Sequence, residues 1–344
     1  MGMRKMTLPP VSRMQFTSDM HICRIINGMW QVSGAHGPID PRAAIQNMLE
    51  YHGEGYTTWD LADHYGPAED FIGEFRRQLA KAGGTQALAA SQAFTKWVPS
   101  PMKMTRPVVR EAVERSLRRM DVERLDLLQF HWWDYADPNY LDALAYLDEL
   151  REQGKIRHLA LTNFDTAHLE ALLKNGIHIV SNQVQFSLID RRPEVQMVQL
   201  CQEHGVWLLP YGTMCGGLLS EIYLGRAEPR PWELNTASLQ KYKHMVDTWG
   251  GWKLFQELLQ TLKGIADKHQ VTIPNVAVRY VLDSPVVAGV ILGVRLGAAD
   301  HRQETGQIFG FMLDEQDHVQ IQTVLDRSQD LYRLIGDCGD EYRN

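Results

Sequence analysis

Trp59-Asp60-Leu61-Ala62-Asp63-His64-Tyr65-Gly66-Pro67-Ala68-Glu69 decides how this chain is read. The block closes a short apolar run, Thr57 to Leu61, and opens a segment, Glu69 to Leu79, whose apolar residues recur at spacings of three and four. The first pattern reads as a strand and the second as an amphipathic helix. A carboxylate at the strand end and a phenol five residues on would both project where catalytic groups of an α/β fold collect, just beyond the strand.

The same alternation runs outward in both directions. Ile25 to Val32 precedes Pro41 to Tyr51, Leu88 to Phe94 precedes Val108 to Met120, and Leu125 to Phe130 precedes Tyr140 to Leu150. Ile156 to Leu161 leads into Leu169 to Leu173, and Ile177 to Val184 into Val195 to Cys201; Val206 to Leu209 and Val286 to Leu292 bring the predicted strands to eight. Helix starts are marked by Asp40-Pro41, Thr105-Arg106-Pro107 and Asp137-Pro138, and Gly154 marks a helix end. The strands are near-continuous apolar runs, as expected when both faces of a parallel sheet are covered. These features predict an α/β fold, a (β/α)8 TIM barrel forming a single domain over 1–344, with a core of about 20–312 and an extension over 313–344. A doubly wound open sheet is the competing architecture, which periodicity alone does not exclude.

Composition narrows the function classes. The 344 residues are 44% hydrophobic and 22% charged, enough to bury a large core. Net charge is -7 and no run of five Lys or Arg occurs, so nucleic acid is not an expected partner. No stretch of 18 apolar residues occurs, so no membrane span is expected. Pro9 and Pro10 interrupt any secretory signal within Met1 to Phe16, and Met6 breaks the myristoylation pattern that Gly2 would begin. Cys23, Cys201, Cys215 and Cys338 make no CxxC pair, and three are read as packing residues with the fourth in a loose tail; reduced thiols point to a cytoplasmic location.

Lys96, in Phe94-Thr95-Lys96-Trp97, and His131, in Phe130-His131-Trp132-Trp133, stand at the ends of the third and fourth predicted strands. A free phenol has a pKa of about 10, so Tyr65 needs a nearby cation to serve as an acid near neutrality. Lys96 supplies one, Asp60 would hold Lys96 by an ion pair, and an imidazole at His131 would orient a carbonyl.

Together the Asp60 to Gly66 block, Ala68-Glu69, Ile72-Gly73, Thr95-Lys96 and His131 resemble the aldo-keto reductases from about Ile25 to Phe309. The resemblance implies NAD(P)H-dependent reduction of a small aldehyde or ketone. Hydride would come from the nicotinamide, Tyr65 would act as general acid with Lys96 and Asp60 lowering its pKa, and His131 would orient the carbonyl. It also implies that Thr162, Asn163 and Gln183 bond the carboxamide and that Tyr211, ahead of Gly212 and Thr213, stacks on the nicotinamide. Gly293 and Arg295, with His301, Glu304 and Thr305, would take the adenosine end. Arg295 favours NADP(H), with NAD(H) possible; His301 and Thr305 depart from the Arg and Asn usual there. No GxGxxG is present, in keeping with a dinucleotide bound across strand ends, and the 13 histidines form no HExxH, so no metal is expected.

Trp97, Trp132, Trp133, Trp249 and Trp252 are the candidate substrate-pocket walls. Leu219 to Leu254 and the residues after Leu313 break the alternation and read as binding loops or lids. Two other functions fit the same residues: a nicotinamide-binding regulatory subunit of another protein, and a Schiff-base lyase with Lys96 as nucleophile.

Overall fold

The computed structural model describes residues 7–34, 37 and 39–343; the expectations placed on Gly2 and Met6 lie outside them. A hairpin, β1 (Arg13–Thr17) and β2 (Met20–Cys23), precedes eight parallel strands: β3 (Ile25–Gly28), β4 (Thr58–Asp60), β5 (Gln92–Trp97), β6 (Leu125–Phe130), β7 (Ile156–Thr162), β8 (Ser181–Gln183), β9 (Trp207–Leu208) and β10 (Val290–Gly293). β3 to β9 pair in sequence order and β10 returns to β3. Bonds from Leu208 to the Val286 carbonyl (2.7 Å) and from Ala288 to the Leu208 carbonyl (3.1 Å) close the ring. The fold is the expected (β/α)8 barrel.

Helices cover the outside: α1 (Pro41–Gly53), α2 (Ala68–Ala89), α3 (Arg106–Met120), α4 (Asn139–Glu152), α5 (Thr166–Lys174) and α6 (Met197–His204) each follow a strand. Asp40 caps α1 through the Arg42 amide at 3.0 Å, with Pro41 in the first turn. Gly73 sits where α2 crosses α3: a Cβ there would lie 2.6 Å from the Arg119 carbonyl oxygen. Strand boundaries differ from the reading of the sequence at several places, β10 among them, which begins at Val290 rather than Val286. Leu88 belongs to α2 and the strand begins at Gln92; Trp30–Ser33 forms a 3₁₀ turn after β3; β8 is confined to Ser181–Gln183. The shared cause is that an apolar run carries on past the strand into the neighbouring helix, turn or loop, so hydrophobicity alone does not mark the end.

Side chains two apart on a strand share a face, and this parity layers the barrel. Phe94, Leu127 and Ala160 point inward with Ile26, Leu209 and Ile291, and the hairpin plugs the lower end with Phe16, Met20 and Ile22. Phe16 stacks on Phe94 with ring centroids 5.6 Å apart. Two residues further along their strands, Lys96, Gln129 and Thr162 occupy the next layer up, beside Asp60 and Gln183. Apolar packing below thus raises a polar layer to the strand ends.

The segment from Leu219 to Leu254 is not an open lid. It contains α7 (Ala237–Trp249) and enters α8 (Gly251–His269), which with α9 (Ile273–Leu282), α11 (Glu315–Leu325) and α12 (Leu331–Ile335) buries a second apolar cluster. A short helix, α10 (Arg302–Gly306), follows β10. No helix among the described residues is long and apolar enough to cross a membrane.

Candidate active site

Asp60, ending β4, is the hub of the polar layer. Its Oδ2 accepts from Lys96 Nζ at 2.7 Å. Its Oδ1 accepts from Gln129 Nε2 at 2.9 Å and from Gln183 Nε2 at 2.7 Å. Gln183 Nε2 also donates to Gln129 Oε1 at 2.7 Å. An ionised carboxylate only accepts, so both amides must turn their NH2 groups toward it, and the set closes with one orientation for each side chain. All four residues are buried, where a charge is tolerated only if paired and hydrogen-bonded. Burial lowers the Lys96 pKa, with Asp60 opposing the shift.

Tyr65, in the turn after β4, is half-buried beneath that layer's cation: Lys96 Nζ lies 4.9 Å from its ring centroid. Trp30 (5.0 Å, 72°) and His64 (4.8 Å, 77°) meet the ring edge-on. The expected acidification of the phenol is not what the folded site displays. Desolvation, then the nearby Asp60, push the Tyr65 pKa well above its ordinary value. The phenol is therefore held protonated, ready to donate, and any gain in acidity must come as negative charge develops on a reacting partner.

His131 follows β6, its amide bonded to the Trp97 carbonyl at 3.1 Å and its Nδ1 3.1 Å from the Thr162 carbonyl oxygen. Trp133 abuts the ring edge-on at 4.4 Å. Burial pushes the imidazole pKa down to about 4, against the opposing effect of the Thr162 bond.

The residues expected at the cofactor fall into two groups. Beside the polar layer, Thr162 ends β7, and Asn163 adopts a left-handed conformation (φ 59°) with its amide bonded to the Gln183 carbonyl at 2.8 Å. The Tyr211 hydroxyl donates to Asn163 Oδ1 at 2.9 Å. Gly212 has φ 75°, and a Cβ there would run into the Tyr242 ring, so glycine is required on both counts. Thr213 Oγ1 is buried without a partner among the described residues, an orphan of the kind a ligand satisfies. At the far end, Gly293, which closes β10, and Arg295 just beyond it are exposed, and His301 Nδ1 lies 3.3 Å from Glu304 Oε2. Thr305 donates its amide to the His301 carbonyl at 2.8 Å. Arg295 makes no ion pair among the described residues, whereas Arg302 is committed to Asp300, Glu54 and Glu50. An orphaned hydroxyl near the strand ends and, further out, a guanidinium without an ion pair among the described residues fit a dinucleotide laid across the barrel mouth.

Of the tryptophans, Trp133 alone lies against His131, its Nε1 anchored on the Pro99 carbonyl at 3.0 Å. Trp97 neighbours inward-facing Lys96 and so points outward, packing on Phe130 at 5.5 Å. Trp132 lies in the same outer core, with Nε1 bonded to the Asp134 carbonyl at 2.7 Å. Trp249 and Trp252 are packed within the second apolar cluster, 1% and 8% exposed, with Trp252 Nε1 on the Arg226 carbonyl at 3.0 Å. These four fill cores rather than a pocket wall.

Several residues at the mouth gave no signal in the sequence. Trp30, 36% exposed, and His64 border Tyr65. The C-terminal segment, expected to be loose, folds back as a strap. Buried Arg192 binds Asp190 at 2.8 Å and Glu341 at 3.0 Å. Arg343 donates to the Trp132 carbonyl at 2.7 Å, and Asp337 Oδ2 accepts from the Thr166 amide at 2.8 Å. Between these anchors Tyr342 meets the Tyr211 hydroxyl at 3.0 Å, receives a bond from Lys241, and lies 6.4 Å from the His131 ring. Cys338 is buried with the other three cysteines, not free in a tail.

A family model described as Aldo/keto reductase family matches residues 24–326. Over 180 residues the chain is 34% identical to the flagellar radial spoke protein 5 of Chlamydomonas reinhardtii, a match taking in 47% of this chain and 34% of that protein. It is 24% identical over 298 residues to the NADH-specific methylglyoxal reductase of Escherichia coli (strain K12), covering 80% of this chain and 87% of that one. The solved structure of a glycerol dehydrogenase from Gluconobacter oxydans shares the fold, with a TM-score of 0.74 at 22% identity over 96% of this chain and 98% of that one.

Proposed function

Because the chain belongs to the Aldo/keto reductase family, whose general reaction is carbonyl reduction with a nicotinamide cofactor, we propose that it reduces a small aldehyde or ketone to the alcohol. The observation that carries this reading is the convergence of Asp60, Tyr65, Lys96 and His131 on the open end of the strands. A nicotinamide held at the strand ends would supply the hydride. Tyr65 gives its hydroxyl proton to the carbonyl oxygen, and the C=O π pair becomes the alcohol O–H bond. Lys96, its Nζ 4.9 Å from the Tyr65 ring centroid, would stabilise the resulting phenolate in this poorly solvated site. Asp60 fixes Lys96, while Trp30 and His64 cover the edges of the phenol ring.

Gln183, Asn163 and Thr162 would hold the carboxamide, with Tyr211 as the stacking ring and Gly212 and Thr213 beyond it. Gly293, Arg295, His301, Glu304 and Thr305 would meet the adenosine end. Arg295, exposed and without an acidic partner among the described residues, supports NADPH as the preferred form; Arg302, already neutralised by three carboxylates, adds nothing to a phosphate site. Schiff-base chemistry at Lys96 is disfavoured, since an ammonium ion-paired at 2.7 Å is a poor nucleophile. We place the enzyme in the cytoplasm on its four free thiols and treat 1–344 as one unit whose extension completes the mouth.

The test is Tyr65→Phe assayed with NADPH and NADH on a panel of aldehydes, ketones and sugar-derived carbonyls. Loss of the acid lowers turnover by about 10²- to 10⁴-fold with cofactor binding nearly intact. Wild-type activity in that variant would discard the mechanism.

A further inference from the structure

Tyr65 lies in the turn between β4 and α2, beyond the reach of the strand ladder. The turn's backbone bond to β5 runs from the Asp63 amide to the Lys96 carbonyl at 2.9 Å, two residues short of the phenol. Past that point the turn is held from outside the barrel. Arg119, in the last turn of α3, donates from Nη1 to the Asp63 carbonyl at 2.9 Å and from Nη2 to the Gly66 carbonyl at 2.5 Å. Those two carbonyls flank His64 and Tyr65, so one planar guanidinium spans the piece of chain that carries the phenol. Asp70 Oδ2 steadies it, accepting from Nε at 3.1 Å and Nη2 at 2.9 Å. Gly73 permits the approach, since a Cβ there would meet the Arg119 carbonyl oxygen at 2.6 Å. Arg119 Nη1 also stands 3.0 Å from Glu69 Oε2, an ion pair without the alignment of a hydrogen bond. Glu69 is fully buried, and its Oε1 accepts from the hydroxyl of Thr95, the residue before Lys96, at 2.7 Å.

We infer that Arg119 is a positioning residue for the proton transfer: it sets Tyr65 through the Asp63 and Gly66 carbonyls, and through Glu69 and Thr95 it ties that setting to the strand that carries Lys96. The inference rests on Tyr65 being the acid. Asp60 holds Lys96 from within the barrel, and this outer chain holds the phenol against it, with Nζ 4.9 Å from the ring centroid. A proton passes only at hydrogen-bond range, and a misplacement of about 1 Å costs on the order of 100-fold in rate. The guanidinium bonds only to the turn, Glu69 and Asp70 among the described residues, so its influence on the chemistry passes through the position of Tyr65. A lysine at 119 would keep a cation beside Glu69 and Asp70, but a single ammonium nitrogen does not reproduce a fork that reaches both carbonyls.

A double-mutant cycle with Tyr65→Phe tests this on the full chain, reading single-turnover oxidation of NADPH with a carbonyl that wild type reduces. Arg119→Met should slow turnover by about 10- to 100-fold while leaving the dissociation constant for NADPH within about twofold. In the Tyr65→Phe background the same substitution should cost no more than about threefold, because the proton donor it positions is already gone. An equal loss in both backgrounds, a loss matched by weaker NADPH binding, or wild-type turnover in Arg119→Met overturns the inference and leaves Tyr65 as the acid. Wild-type turnover in Tyr65→Phe brings down the reductase mechanism and this inference with it. A second readout needs no turnover. In enzyme labelled with ¹³C-tyrosine, the Tyr65 ring signals, assigned against Tyr65→Phe, carry ring-current shifts from Trp30 and His64. Those shifts should shrink in Arg119→Met; unchanged signals overturn the inference. Should Arg119→Met fail to fold, Arg119→Lys takes its place, with a loss of about 3- to 30-fold expected and wild-type turnover overturning the clamp.

Discussion

At the centre of the barrel mouth Asp60 receives three donors from strand residues at one depth, whereas under the C-terminal strap one guanidinium, Arg192, holds both Asp190 and Glu341. The centre is redundant: removing one donor leaves two. The strap's two carboxylates share one guanidinium, whose loss leaves Asp190 with the Gln185 amide at 2.7 Å and Glu341 with the Tyr211 hydroxyl at 3.4 Å, neutral donors in place of a cation. Positioning on strands and closure by a tail are thus held by networks that should fail differently.

The largest effect is expected where redundancy is lowest. Arg192→Met should lower stability by about 3–5 kcal/mol in urea or thermal unfolding, since breaking a buried pair leaves uncompensated charge. Lys96→Met should be milder, because the Asp60 carboxylate keeps two amide donors. The reverse order would break the comparison.

The next effect depends on pH. His131 titrates near 4 when folded against 6.5 as a free imidazole, so the unfolded chain binds its proton more readily. Stability from the neutral ring is full above pH 6.5 and is lost as pH falls through 6.5 toward 4, a shift of about 2.5 units or roughly 3 kcal/mol. Arg343 and His64 reinforce this, while Glu341 and the Thr162 carbonyl oppose it. Unfolding measured across that window should show the slope in wild type and a flatter profile in His131→Gln.

Gln129→Leu sharpens the comparison from the other side. It removes one bond to a charged acceptor, worth about 1.5–3 kcal/mol, and frees the Gln183 amide that Gln129 Oε1 holds. The expected signature is a raised KM for the nicotinamide with a lowered kcat, read in steady-state kinetics, in a protein that stays folded. Smallest of all, Tyr342→Phe should change stability by about 0.5–1.5 kcal/mol, because Glu341 and Arg343 keep the strap closed without the hydroxyl. Hydrogen exchange over 337–343 that rises as much as in Arg192→Met would show the strap hinged on the tyrosine instead.

What sequence alone determined was whatever is local to one strand and its loop: eight apolar runs, the cap that starts α1, and an acid, a phenol, a lysine and a histidine at or just beyond the ends of their strands. Parity was there to be used as well, since Lys96 facing inward puts Trp97 outward, and His131 facing inward gives Gln129 the same face. Only the folded chain settled the rest. The Asp60 bonds to Gln129 and Gln183 join three strands, the second apolar cluster claims Trp249 and Trp252, and Arg192 reaches Glu341 from the far end of the chain. Strand periodicity is a property of neighbours in sequence, whereas a donor finds its acceptor through the barrel's closure, which no local pattern encodes.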